Sequence, residues 1–205
     1  MTVFRPSGRG FLSIVLGAVA LLLTPGAAHA QFSDSYNFLK AVRDRDGDKA
    51  TNALNGGGST TIDTKDRSTG ETALHIVTKR RDATWLNFLI GKGANVNVRD
   101  DAGNTPLMIA ARIGYADGAQ ILIRRRAGVN IANNSGETPL IAAVQSRNSG
   151  MVDILLKAGA DPKRADTLAG MSARDYAEAD NRSHIILDMI DNYKPEKKAE
   201  VAGPK

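Results

Sequence analysis

Few residues of this chain are of types that do chemistry, and their spacing argues against most chemistries. The 205 residues include no cysteine, so a disulfide framework, a thiolate metal site and a thiol nucleophile are all excluded. His184 has no second histidine at i+3 or i+4 to complete a zinc pair on a helix. Asp44-Arg45-Asp46-Gly47-Asp48 begins like a calcium loop. Its glycine comes two places early, however, and Asn55 stands where the closing glutamate belongs, so it reads as an acidic turn. Gly56-Gly57-Gly58 lacks the lysine and the spacing of a phosphate-binding loop, and no Gly-x-Ser-x-Gly elbow occurs. Arg124-Arg125-Arg126 could grip an anion, but cations also suit the negative end of a helix dipole, which is the plainer reading. Trp85 falls at an inward helical position and reads as core rather than as a sugar platform. No catalytic set, metal site or cofactor is implied, and the chain reads as a non-enzyme.

The elements that position these residues repeat. Thr105-Pro106-Leu107-Met108-Ile109-Ala110-Ala111 has a counterpart 33 residues earlier, Thr72-Ala73-Leu74-His75-Ile76-Val77, and one 33 later, Thr138-Pro139-Leu140-Ile141-Ala142-Ala143. A degenerate copy begins at Ser172. A glycine precedes each copy by two residues: Gly70, Gly103, Gly136 and Gly170. A period of this length is the mark of stacked helix pairs, none of which could bury its apolar face alone. In each unit the threonine caps a first helix and proline suits its first position. A second helix follows, with Leu86-Asn87-Phe88-Leu89-Ile90, Ile121-Leu122-Ile123 or Met151-Val152-Asp153-Ile154-Leu155-Leu156 supplying its apolar face. Polar hairpins lead to the next unit.

The ends differ from the middle. Residues 1–30 read as a secretory signal peptide, with Arg5 and Arg9, a thirteen-residue apolar run from Phe11 to Leu23, the breaker Thr24-Pro25-Gly26 and the cleavage pattern Ala28-His29-Ala30. The run is short of the roughly 20 residues that span a bilayer, which disfavours an uncleaved anchor. Cleavage between Ala30 and Gln31 would export the chain, and the style of the leader points to a bacterial periplasm. A helix capped by Ser33 or Ser35 carries Phe38, Leu39 and Val42. A second runs from about Asp48 to Leu54, and Asn55 to Ser59 is expected to be loop. The closing pair from Ser172 to Tyr193 turns Ile185, Ile186, Met189 and Ile190 inward. Residues 194–205 are a basic tail too poor in apolar residues to fold. The net charge of +5 falls by two, to +3, with loss of Arg5 and Arg9. That mild excess gives little reason to invoke nucleic acid, and cleavage leaves no membrane anchor.

At Thr72-Ala73-Leu74-His75, Thr105-Pro106-Leu107, Thr138-Pro139-Leu140, Gly93-Ala94-Asn95-Val96-Asn97 and Gly159-Ala160-Asp161 the chain resembles the ankyrin-repeat family. The resemblance implies an all-α ankyrin-repeat solenoid over residues 31–193. Three full repeats fill 68–166, flanked by capping repeats at 36–67 and 167–193. Three departures stand out: Arg126 replaces a loop glycine, Arg81 and Arg147 replace glycines that end first helices, and Met108 and Ile141 replace the motif histidine, which survives at His75. The resemblance also implies a monomeric protein-binding module whose partner meets the concave face of hairpin tips and first helices. The positions carried over are Arg67, Ser68, Glu71, Lys79 and Arg80, then Arg99, Asp101, Asn104 and Arg112, then Asn134, Glu137, Gln145 and Ser146. The basic N-terminal half of this strip predicts a partner with an acidic patch. The other expectation is an anionic envelope component, a phosphorylated glycan or lipid, bound by the same basic half.

Overall fold

The computed structural model of the protein describes residues 25–57 and 61–194, with side chains from Asp34 onward. Residues 1–24, with the arginines and apolar run of the expected signal peptide, and residues 195–205 of the expected tail lie outside the described residues. The described chain folds as five stacked helix pairs: α1 (Pro25–Asp44) and α2 (Gly47–Gly57), α3 (Ala73–Lys79) and α4 (Ala83–Gly91), α5 (Pro106–Arg112) and α6 (Ala116–Arg124), α7 (Pro139–Gln145) and α8 (Ser149–Lys157), α9 (Ala173–Ala179) and α10 (His184–Asn192). First helices pack on first helices and second on second, giving two layers with no strand among the described residues. Among these residues no helix is long and apolar enough to cross a membrane.

Local chemistry explains the helix starts. Thr105 and Thr138 accept the amide protons of Met108 (3.3 Å) and Ile141 (3.2 Å), while Pro106 and Pro139 occupy first helical positions where a missing N–H costs nothing. Ser172 and Asp175 form a reciprocal capping box at α9. At α3 the histidine takes that role. The Thr72 N–H donates to His75 Nδ1 (3.1 Å), so the ring carries its proton on Nε2, which donates to the Asn104 carbonyl of the next unit (2.9 Å). His75 is fully buried, and burial foremost pushes its pKa below the usual imidazole value, which keeps the ring neutral. Met108 and Ile141, at the same position, are simply buried apolar side chains.

The opening unit departs from its expected bounds. Helix α1 starts ten residues before Ser35 and runs through the Ala30–Gln31 bond. Pro25 and Gly26, expected to break any helix, lie within it. Helix α2 continues through Asn55, Gly56 and Gly57, which were expected to be loop, although each glycine costs a helix about 0.5–1 kcal/mol relative to alanine. The acidic turn is used internally, with Asp46 accepting the Lys49 N–H (3.0 Å) and its ammonium (2.8 Å). At the other end Ile185 is exposed rather than inward, and Ile186 and Ile190 carry the burial. Trp85 is half-buried, edge-on to Phe88 at 5.5 Å between ring centres.

Units are tied together in three places. At the hairpin tips, the Asp101, Asn134 and Thr167 amides donate to the Thr69, Ala102 and Ser135 carbonyls of the preceding tips at 3.2, 3.0 and 2.9 Å. Tips approach so closely that a Cβ on Gly103 would stand 2.8 Å from the Asn134 nitrogen. Beneath the second helices, Asp63, Asn97 and Asn130 accept the amides of Asn95 (3.0 Å), Gly128 (2.8 Å) and Asp161 (2.8 Å). At the turns after the first helices stand Arg45, Arg81 and Arg147. Their φ values of 60°, 58° and 52° are left-handed, where the equivalent residue of the middle unit is Gly114. Each side chain reaches one unit forward, to Asp82, to the Ile113 carbonyl and to Asp180. The turns keep the glycine conformation, and the arginines in them brace neighbouring units.

Candidate interaction surface

The face made by hairpins and first helices is built on an Asx residue at each hairpin base. Asp66, Asp100, Asn133 and Asp166 each accept a backbone N–H of their own hairpin, from Ser68 (2.8 Å), Asn104 (2.8 Å), Ser135 (3.0 Å) and Ala169 (2.8 Å). The two outer hairpins are a residue longer than the inner two. They close from Asp66 to Glu71 and from Asp166 to Met171, whereas the inner pair closes from Asp100 to Asn104 and from Asn133 to Glu137. Among the described residues, strand pairing is confined to one isolated bridge, Ala165–Ser172. These bonds hold Asp66 well below the usual carboxylate range, through Ser68 first and Arg43 after it, and Asp166 is lowered chiefly by Tyr176 (2.6 Å). The Asx positions recur at nearly the repeat period, and that regularity was the available signal for them.

The thirteen candidate residues divide. Arg67, Ser68, Arg99, Asp101 and Asn134 are exposed on the tips, and Arg99 reaches the Gly103 carbonyl (3.1 Å) and Asn134 Oδ1 (3.1 Å). Ser68 folds back on Asp66 (2.5 Å). Lys79 is paired with Glu71. Arg112 donates to Glu137 (2.7 Å), which also accepts from Asn133 (2.8 Å), while Asn104 is buried beneath them. Gln145 is exposed beside Tyr176, and the Ser146 hydroxyl turns back to the Ala142 carbonyl (2.9 Å).

Arg80 does not belong to the exposed strip. Its side chain is 17% exposed, with Nε 3.2 Å from Asp82 and the guanidinium on the Val42 carbonyl and 5.3 Å from the Trp85 ring centre. It joins the opening unit to the first full repeat from the C-cap position of α3. A change there tests folding rather than recognition. Below the tips the basic N-terminal half is neutralised in place, with Arg43 on Asp66 (2.5 Å), Lys79 on Glu71 and Arg112 on Glu137, while Arg67 and Arg99 stay exposed on the tips.

The same face has a feature that the spacing of motifs did not reveal. Between α1 and the first hairpin lies a groove of about 720 Å³, lined by Tyr36, Leu39, Arg43, Lys65, Arg67 and Ser68 among others. Tyr36 is 66% exposed at its rim. It prolongs the strip of tips beyond Arg67 to the end of the stack. As for metals, Asp188 stands four residues after His184, but among the described residues no three His, Asp or Glu side chains cluster as ligands.

The three-copy family model of ankyrin repeats matches residues 38–132 and 74–166, together more than half of the chain. Repeats of that family generally mediate contacts with other proteins rather than catalysis. With the period, the capped first helices and the stacked tips all in register, the chain belongs to the ankyrin-repeat family.

Proposed function

We propose that the chain is a non-enzymatic, monomeric protein-binding module of the bacterial periplasm, exported through cleavage between Ala30 and Gln31. Its partner lies along the concave hairpin and first-helix face. The observation that carries this reading is the stitched row of tips. Arg67, Arg99, Asp101 and Asn134 stand exposed on a backbone fixed by tip-to-tip hydrogen bonds, so a partner meets them with little ordering cost. The adjoining groove with Tyr36 supplies an aromatic anchor, the residue class that dominates protein interfaces. The partner offers carboxylates to Arg67 and Arg99 and hydrogen-bonding groups to Asp101 and Asn134.

The experiment is in-cell cross-linking of the full chain against a variant carrying Arg67→Glu and Arg99→Glu, with the melting curve of each recorded. Loss of the cross-linked protein with the melting curve unchanged supports the face; an unchanged adduct removes it. An N-terminus at Gln31 in the periplasmic fraction supports the location, and recovery of Met1 in the membrane fraction overturns it.

A further inference from the structure

The second-helix side of the stack carries cations that folding does not use. Of the arginine side chains among the described residues, those of Arg124, Arg125 and Arg126 alone make no hydrogen bond, ion pair or ring contact. All the others have a partner within the chain, including Arg67 on the tips. We propose that these three residues form a ridge, flanked by Lys92 over the Phe88 ring and by Lys157 on Asp153, that docks on the phosphate headgroups of an anionic lipid bilayer.

Backbone geometry sets Arg126 apart. It has φ 64°, and its equivalents in the flanking units are Gly93 (φ 95°) and Gly159 (φ 89°). A side chain here is disfavoured by contact of Cβ with the carbonyl. Arg45, Arg81 and Arg147 share that conformation, but each of their side chains ties two units together. Arg126 gives the fold nothing in return. The helix dipole does not account for it, since its effect fades within the last turn and α6 ends at Arg124 with Arg125 as its cap.

The surroundings extend the charge. Lys92 caps the end of α4, Lys157 ends α8, and α6 packs between those two helices. Neighbouring helices lie about 8–10 Å apart, so the row is roughly 20 Å wide. On α8 and the loop after it the carboxylates are occupied: Asp153 holds Lys157 at 2.8 Å, and Asp161 accepts the Lys163 amide at 2.9 Å, while Asp117, the acid nearest Arg124 in sequence, stands in the first turn of α6, at the opposite end of that helix. The ground is open, because a Cβ built on Gly93 or Gly159 meets nothing within 4 Å. An open row of cations across three helices offers no enclosure for a single small anion. It matches a plane that presents many phosphates, which guanidinium groups bind through paired N–H donors. Docking here leaves the hairpin face free, so the inference does not depend on the function proposed for that face.

The test labels arginines of the full chain with phenylglyoxal and reads each site by peptide mass spectrometry. The probes are vesicles of phosphatidylcholine alone and vesicles with added phosphatidylglycerol. Each basic residue at an anionic bilayer strengthens binding about fivefold, so three give roughly a hundredfold. Labelling of Arg124, Arg125 and Arg126 is expected to fall at least about tenfold with phosphatidylglycerol, and to return in high salt. Arg99 is expected to label equally throughout. A second chain, with Arg124→Gln, Arg125→Gln and Arg126→Gly, is expected to lose the salt-sensitive part of its vesicle flotation. Equal labelling of the three arginines with both vesicles overturns the proposal. So does equal protection by soluble glycerol phosphate, or protection by RNA and not by vesicles.

Discussion

The two faces of the stack use charge in opposite ways. On the hairpin face the ionic side chains below the tips are spent on the fold: Arg112 on Glu137, Lys79 on Glu71, Arg43 on Asp66. On the second-helix face three adjacent arginines are left without partners. Net charge places the cation excess nowhere in particular, and a count of basic residues favours the N-terminal half of the hairpin face. Partnership decides otherwise, since a cation already held by a carboxylate attracts an anion weakly. Exposed pairs of this kind add little stability, about 0–1 kcal/mol each, but they remove two charges from the surface at once.

The comparison breaks most easily at Arg80. Arg80→Glu puts a carboxylate beside Asp82 in a mostly buried site and strips the Val42 carbonyl of its donor, so a loss of about 3–4 kcal/mol is expected in urea unfolding. Arg125→Glu, on the open ridge, is expected to stay within about 0.5 kcal/mol. Comparable losses at both sites would mean that the ridge is structural after all. His75→Ala comes next, at about 2 kcal/mol, because it leaves the Asn104 carbonyl and the Thr72 N–H without partners in a buried place. The same histidine sets a pH dependence. Its folded pKa lies below the ordinary imidazole value of 6.5, so the unfolded chain binds the extra proton first. Stability from this group is complete above pH 6.5 and falls as pH drops below it toward the folded pKa, and a His75→Leu chain should lose that slope.

Most of the architecture was legible because it is written in register. The 33-residue period located Thr72, Thr105 and Thr138, and each stands at the start of a first helix. That Arg81, Arg126 and Arg147 occupy glycine places was legible too, but not that each keeps the left-handed φ rather than reshaping its turn. What a repeat pattern cannot carry is where long side chains end. Arg80 and Arg112 both stand near the ends of first helices, yet one lies between units against Trp85 and the other on the surface against Glu137. Helix bounds in the opening unit were misread for a related reason. There the period is absent, and Pro25 and Gly56-Gly57 are punctuation whose meaning depends on what precedes them.

The smallest effect separates the left-handed arginines themselves. Arg126→Gly relieves a backbone conformation that costs about 1–2 kcal/mol, offset in part by the greater freedom glycine gives the unfolded chain. A gain of about 0.5–1 kcal/mol is expected, since no contact is lost. Arg147→Gly gains the same relief but gives up its bond to Asp180 (2.5 Å), so it should come out near zero. That bond can be followed by acid. Arg147 foremost lowers the Asp180 carboxyl from 3.8 to about 2, so its stabilisation is complete above pH 3.8 and is lost as pH falls through about 2. The difference between the two glycine variants should therefore shrink in strong acid. Equal gains at neutral pH would show that Arg147 braces nothing, and that an arginine in a glycine place does not by itself distinguish a structural side chain from one held out for a partner.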